Sequence, residues 1–257
     1  MNRKHKPKVK IMSKSQAEQP STGVALFSTQ LPSAPPSYLQ TEAPRGNTSV
    51  SSEDMAMPKL KLLQSLSPEI DAAKGIHPGL FLNNISNNVY ETVLAVNLHF
   101  QKEFVIFKKR TLGGGFMGSA QSESEAQALV RSLPGTPADY DLSESHRHVL
   151  LLLDRATGAP LETVAMFMAT PSSLYSSRSW NTELSTLSAG KYDRFSMIWE
   201  LTADKVTNNK GSFHVLKSNF MGWAPETLHA ACKGLYSAID AASGVKPAPI
   251  DEDSVVA

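Results

Sequence analysis

The chain of 257 residues has a single cysteine, Cys232. That excludes an intramolecular disulfide and any paired-cysteine zinc module, and it fits a reducing compartment. Long apolar runs are missing as well. The longest aliphatic stretch, Val149–Leu153, falls far short of the ~20 residues that span a bilayer. Nor does an apolar stretch of about 7–15 residues follow the basic start, as a secretory signal requires. A cytoplasmic protein without a membrane partner is therefore expected. Charge of one sign is lacking too. The formal net charge is +1, so the global balance points to no polyanion and any such argument rests on local clusters.

Catalytic and cofactor motifs are equally scarce. "LGGGFMGS" has no lysine after its last glycine, so it is no Walker A loop, and "GGFMG" lacks the spacing of a dinucleotide fingerprint. There is no GxSxG elbow and no HExxH helix. His146 and His148 share a face if their segment is a strand, but no third or fourth ligand accompanies them at metal-site spacing. Solvent-facing or hydrogen-bonded histidines are the plainer reading. Neither an enzyme, a cofactor nor a metal is expected.

What is present divides into three segments. Residues 1–56 start with "MNRKHKPKVKIMSK", which holds six Lys/Arg, and continue rich in Ser, Thr, Pro and Gln. This composition predicts disorder, because few large apolar side chains are available to offset the entropy of ordering. Residues 57–245 carry the folded domain, and residues 246–257 end in the acidic tip "DEDSVVA". Within the domain, "YETVLAVNLHF" alternates, placing Leu94, Val96, Leu98 and Phe100 on one strand face and Asn97 and His99 on the other. Gln101–Glu103 then turn the chain into a second strand, "FVIFKKR". Its Phe104 and Ile106 fall on one face and Val105 and Phe107 on the other, as in a sheet covered on both sides. "SESEAQALVRSL" predicts a short helix capped by Ser122 or Ser124. "SHRHVLLLLD" and "ETVAMFMA" predict core strands around the turn "RATGAP", and "TNNKG" marks a hairpin. "DRFSMIWELTADKV" precedes that hairpin, with Phe195, Met197, Trp199 and Leu201 on one face. "PETLHAACKGLYSAIDAA" predicts an amphipathic helix with Leu228, Ala231, Leu235 and Ile239 on one side.

One pattern recurs: aromatic residues beside basic ones, on expected strands. Phe107, Lys108, Lys109, Arg110 and Phe116 surround the glycines Gly113–Gly115. Arg178 and Trp180 follow in "SSRSWN", Arg194 in "YDRFSMIW", and Lys210, Phe213 and Lys217 in "KGSFHVLK". Single-stranded nucleic acid needs this pairing, since its phosphates want cations along a groove and its unpaired bases stack on rings. A solvated charged face over a core of aromatics accounts for the same residues.

The pieces "PKLKLLQSLSPEI", "EFVIFKKRTLGGGFMGS", "SHRHVLLLLD", "SRSWN", "RFSMIWEL" and "FMGWAPETL" resemble a family of bacteriophage-encoded proteins described as single-stranded DNA-binding or left uncharacterised. The resemblance covers about three quarters of the chain. It implies an OB-like antiparallel β-barrel serving phage DNA replication or recombination in the host cytoplasm. The expected fold is accordingly α+β and β-rich, an OB-like barrel with a C-terminal amphipathic helix and a disordered N-terminal segment. The expected ligand is single-stranded DNA, bound without sequence preference. Asp251, Glu252 and Asp253 resemble the acidic tails with which replication single-strand binders contact partners, and so imply contact with replication or transcription proteins. The alternative is a phage structural or host-takeover protein acting through protein–protein contacts. A metal-dependent nuclease using His146 and His148 ranks last.

Overall fold

The computed structural model describes residues 57–209 and 211–242. The chain divides into two units, Met1–Ser49 and Val50–Ala257, and every described residue belongs to the second. The expectations for residues 1–56 and 246–257, with Lys210, Asp251, Glu252 and Asp253, lie outside the described residues.

Three short strands, β1 (Leu60–Leu62), β2 (Phe81–Asn83) and β3 (Val89–Tyr90), form a small antiparallel sheet in the order β1-β2-β3. The main sheet has six strands: β4 (Val93–Lys108), β5 (Phe116–Ala120), β6 (Tyr140–Leu153), β7 (Pro160–Met168), β8 (Met197–Asn208) and β9 (Gly211–Trp223). Its order is β7-β6-β4-β8-β9, with β5 also on β4, and all pairs are antiparallel. Helix α1 (Glu123–Ser132) lies between β5 and β6, α2 (Pro171–Ser188) between β7 and β8, and α3 (Glu226–Ala242) follows β9.

The fold is therefore β-rich α+β, but the sheet is open. Its edge strands β7 and β9 do not pair, so the closed OB-like barrel expected from the sequence is not formed. The small sheet bridges the two edges instead. Lys59 makes a parallel bridge to Ala165 of β7, and Gln64 holds both backbone groups of His214 on β9: its amide nitrogen donates to the carbonyl and its oxygen accepts from the N–H, each at 2.9 Å. Gly79 lets the chain pass against the His214 ring, where a Cβ would lie 2.8 Å from Cδ2.

Two cores flank the sheet. On one face Ala95, Leu150, Leu152, Val164, Met166, Trp199 and Leu201 pack with Leu60, Phe81 and the α2 residues Trp180 and Leu184. On the other, Val96, Leu98, Val149 and Leu151 pack with Phe195, Leu228 and Cys232. At the far end of β4 a smaller cluster joins Ile106 and Tyr140 to Ala126 and Val130 of α1. Of the two serines offered by the sequence, Ser122 is the cap of α1, and it forms a full capping box with Glu125.

Four local expectations need correction. The chain does not turn at Gln101–Glu103, because β4 runs unbroken and pairs with β6 from Leu94 to Lys108. A bulge between Asn97 and His99 shifts the register, so His99 joins Leu98 on the α3 side and Phe100 moves to the face of Asn97, away from Leu94, Val96 and Leu98. Phe195 sits in a 3-10 turn and packs with the α3 core, whereas Met197, Trp199 and Leu201 pack on the α2 side. Helix α3 is also rotated from its expected face: Leu228, Cys232, Tyr236 and Ile239 pack inward, while Ala231 and Leu235 are exposed.

Candidate functional site

Strand β4 has one edge fully paired with β6 and another that is shared. On the shared edge β8 pairs with Val93–Val96 and β5 with Phe104–Phe107. No described strand pairs with residues 97–103 on that side. The 3-10 turn Arg194–Ser196, which leads into β8, lies against β4 beside this gap. The bulge then sets what faces α2. Beyond it, Phe100, Lys102 and Phe104 project to one side at alternate positions, opposite His148, His146 and Glu144 of β6.

Two cations lie over two rings in this row. The Arg194 guanidinium sits 5.3 Å from the Phe100 centroid and Lys102 Nζ 5.0 Å from that of Phe104. Arg194 also donates to Asn181 Oδ1 at 2.9 Å, and burial lowers its pKa to about 10. Glu144 Oε1 gathers three donors: His146 Nε2 at 2.7 Å, Arg178 Nη2 at 3.0 Å and Lys102 Nζ at 3.5 Å. Burial works against ionising this carboxyl, but the hydrogen bonds from Arg178 and His146 and the charge of Lys102 outweigh it and hold the pKa below the usual value.

The histidines continue inward. His146 Nδ1 and His148 Nε2 each lie 2.7 Å from the Ser177 hydroxyl, and His148 Nδ1 lies 2.9 Å from the Asn97 amide. His148 stacks on Trp180 with ring centroids 4.8 Å apart. Burial keeps both imidazoles below the ordinary histidine pKa. Glu144 opposes that effect for His146, and Arg194 reinforces it for His148. Ser177 is fully buried and shared between two rings, so its hydroxyl is not offered to a substrate. Among the described residues no group of three or more His, Cys, Asp or Glu is arranged to hold a metal ion.

The residues singled out from the sequence are thus scattered. Arg194 meets Phe100 of β4 and Asn181 of α2, whereas Arg178 meets Glu144 of β6. Trp180 is not exposed for stacking; only 1% of it is accessible, on a helix rather than a strand. Phe107 is buried against Phe116 at 5.8 Å, with Val105 and Phe167 nearby. Of the three basic residues expected to end the strand, only Lys108 lies in β4; Lys109 caps and Arg110 begins a 3-10 turn, and the glycines after them form a tied turn. Lys108 N–H donates to Gly115 and Gly114 N–H to Lys109, and all three glycines have positive φ with open space around Gly113 and Gly115. Phe213 is half-buried, and Lys217 is exposed, paired with Asp204 at 3.7 Å. Phe100, Lys102, Phe104 and Glu144 were missed. The signal lay in "FQKEF", where an uninterrupted strand puts both rings and the lysine on one face.

Among the described residues no helix is long and apolar enough to cross a membrane. No curated protein and no solved structure matches the chain. A family model described as Pam3 phage gp34-like protein matches residues 28–244, beginning inside the segment that composition reads as disordered. With most of its length matched, the chain is a bacteriophage protein and belongs to the Pam3 phage gp34-like family.

Proposed function

We propose that this protein binds single-stranded DNA, without catalysis, along the gap in the β4 edge. The observation that carries the reading is the row Arg194–Phe100–Lys102–Phe104, in which cations and half-buried rings alternate on one side of a strand whose edge no described strand occupies over residues 97–103. Phosphates would meet Arg194, Lys102 and Arg178, and bases would exchange with the cations over the ring faces. Lys108 at the end of the same strand, with Lys109 and Arg110 in the 3-10 turn that follows, extends the cationic track. The acidic tip would then recruit replication partners, in keeping with a role in phage DNA replication or recombination.

The test is titration of the purified protein with fluorescent oligo-dT and with duplex of equal length. Oligo-dT is expected to bind in preference. The double variant Lys102→Ala/Arg178→Ala should weaken binding and reduce the log–log salt slope by about 1.4, at ~0.7 per phosphate contact on a single strand. Absence of affinity for either oligonucleotide at moderate salt would sink the proposal.

A second reading rests on a different patch. Tyr192, Met221 and Trp223 are 55%, 54% and 49% exposed, and the Tyr192 and Trp223 rings are 4.9 Å apart. Exposed Trp, Tyr and Met are the residues that anchor protein interfaces. On this reading the protein acts by protein–protein contact. Trp223→Ala would then abolish partner binding in a protein that shows no affinity for oligo-dT.

A further inference from the structure

Glu144 is outnumbered by the cations it holds. Arg178 Nη2 at 3.0 Å and Lys102 Nζ at 3.5 Å converge on its Oε1, the same oxygen that lies 2.7 Å from His146 Nε2. One carboxylate therefore faces two permanent cations. It is also the deeper partner. The Glu144 side chain is 22% exposed, against 47% for Lys102 and 58% for Arg178, so both cations can swing outward while Glu144 stays on His146. Ion pairs with so exposed a cation contribute little, whereas a cation that moves onto a nucleic-acid phosphate gains from counterion release. Lys102 has a second contact. Its Nζ lies 5.0 Å from the Phe104 ring centroid, and Phe104 stands directly opposite Glu144 in the β4–β6 register. The pair with Glu144 thus keeps the ammonium over that ring, and moving Lys102 to a phosphate uncovers it.

We infer that Glu144 is an internal competitor for phosphate, which holds Arg178 and Lys102 in the free protein and yields both to a bound strand. The inference rests on the reading of the β4 gap as a DNA site and adds a basis for selectivity to it. A lone phosphate has to break two ion pairs for one new anion contact, and it takes nothing from the ring. A single strand breaks the same pairs, but it also places a base on Phe104 and further phosphates on Arg194 and Lys108. Small anions are turned away and the polymer is accepted. Glu144→Gln isolates the effect, because it keeps an oxygen for the His146 N–H and loses the charge that holds the two cations.

The experiment is a mutant cycle on the full chain: wild type, Glu144→Gln, Lys102→Ala/Arg178→Ala and the triple variant, each titrated with fluorescent oligo-dT at fixed ionic strength. Glu144→Gln is expected to bind severalfold tighter than wild type, and the gain should vanish when Lys102 and Arg178 are absent. Where wild type binds oligo-dT, a missing gain overturns the competitor, and so does a gain that persists in the triple variant, which would be a general charge effect. Inorganic phosphate is titrated in parallel and read by NMR on the Arg178 Nε–H. It should shift that resonance in Glu144→Gln at concentrations that leave wild type unmoved, and the same response in both proteins overturns the proposal. Should Glu144→Gln not fold, the wild type decides alone. Saturation with oligo-dT should move its Glu144 carboxyl-carbon and Arg178 resonances, and resonances that stay in place overturn the exchange. Phosphate capture by Glu144→Gln in a protein that binds no oligo-dT in any form would uphold the competitor and remove the DNA reading. Oligo-dT bound equally by wild type and Glu144→Gln would do the reverse.

Discussion

Strands β4 and β6 bury ionisable groups on both faces, one residue apart, with opposite outcomes. On the α2 face Glu144, His146, His148, Ser177 and Asn97 satisfy one another through a continuous set of hydrogen bonds. On the other face Glu103 and Ser145, directly opposite each other, are fully buried, and neither Glu103 oxygen nor the Ser145 hydroxyl meets a partner in hydrogen-bonding geometry. Arg147 donates to Gln101 there but leaves its Nε unused. Burial raises the Glu103 pKa, and the nearby Arg147 charge and Ser119 hydroxyl only partly offset it. The difference lies in what stands across from each row. Helix α2 carries Ser177 and Arg178 to the first face at the spacing the histidines and Glu144 need, whereas no described helix brings a donor to Glu103. A buried polar row stabilises a sheet only when the covering element completes it.

The largest effect that would break this contrast is expected from Trp180→Ala. It removes the ring that stacks on His148 and meets Trp199 edge-on at 5.9 Å, and should cost about 3–5 kcal/mol in urea unfolding, since large buried aromatics leave cavities. A loss below about 1 kcal/mol would show that α2 does not hold the satisfied face.

Acid should act with opposite signs on the two faces. His146 and His148 have pKa values lowered from 6.5 in the folded chain, so the unfolded chain takes up protons first. Their contribution is full above about 6.5 and falls with acid towards the folded pKa, by up to ~1.4 kcal/mol per pH unit for each group. Glu103 has a folded pKa raised above 4.5, so its contribution is full below that value and is lost as pH rises through the folded pKa. Stability should therefore decline from about pH 7 to about pH 5, dominated by the histidines. A flat profile over that range would mean they ionise freely in the folded state.

The smallest of the three effects is a gain. Glu103→Gln removes the carboxylate charge from the incomplete face and should raise stability at neutral pH by about 1 kcal/mol. A loss instead would reveal that the Glu103–Arg147 attraction outweighs the burial of the charge.

The sequence made the regular parts of this architecture visible because periodicity is local. The hairpin around "TNNKG" closes with Asn208 opposite Gly211, and α1 begins at its Ser122 cap. Helix α2 was hidden by composition. "SSLYSSRSWNTELSTLS" is rich in serine and poor in aliphatics, yet Thr170 caps it, Pro171 starts it, and Leu174, Ser177, Trp180 and Leu184 line its buried face. Reading "SSRSWN" as a strand put Trp180 on the surface. The candidate site was hidden for another reason. It depends on a single bulge at Asn97–His99, which reverses the facing of every later residue in β4, and on the β4–β6 register, which no local pattern encodes. Arg178 and Arg194 were visible as cations, but Glu144, which ties Arg178 and Lys102 together, comes from a third element.

The side-chain clamp of Gln64 on His214 joins positions 150 residues apart. As the chain is synthesised, Gln64 leaves the ribosome long before the strand it holds exists. The bridge from Lys59 to β7 needs only residues up to Ala165, so that side of the sheet can be secured first. The β8–β9 hairpin, built from neighbours in sequence, then forms quickly once translated. Docking it under Gln64 is the late event, and until it happens the backbone of His214 is open to any other strand. A pause in translation between β7 and β9 would prolong the interval in which this phage protein is prone to associate with itself.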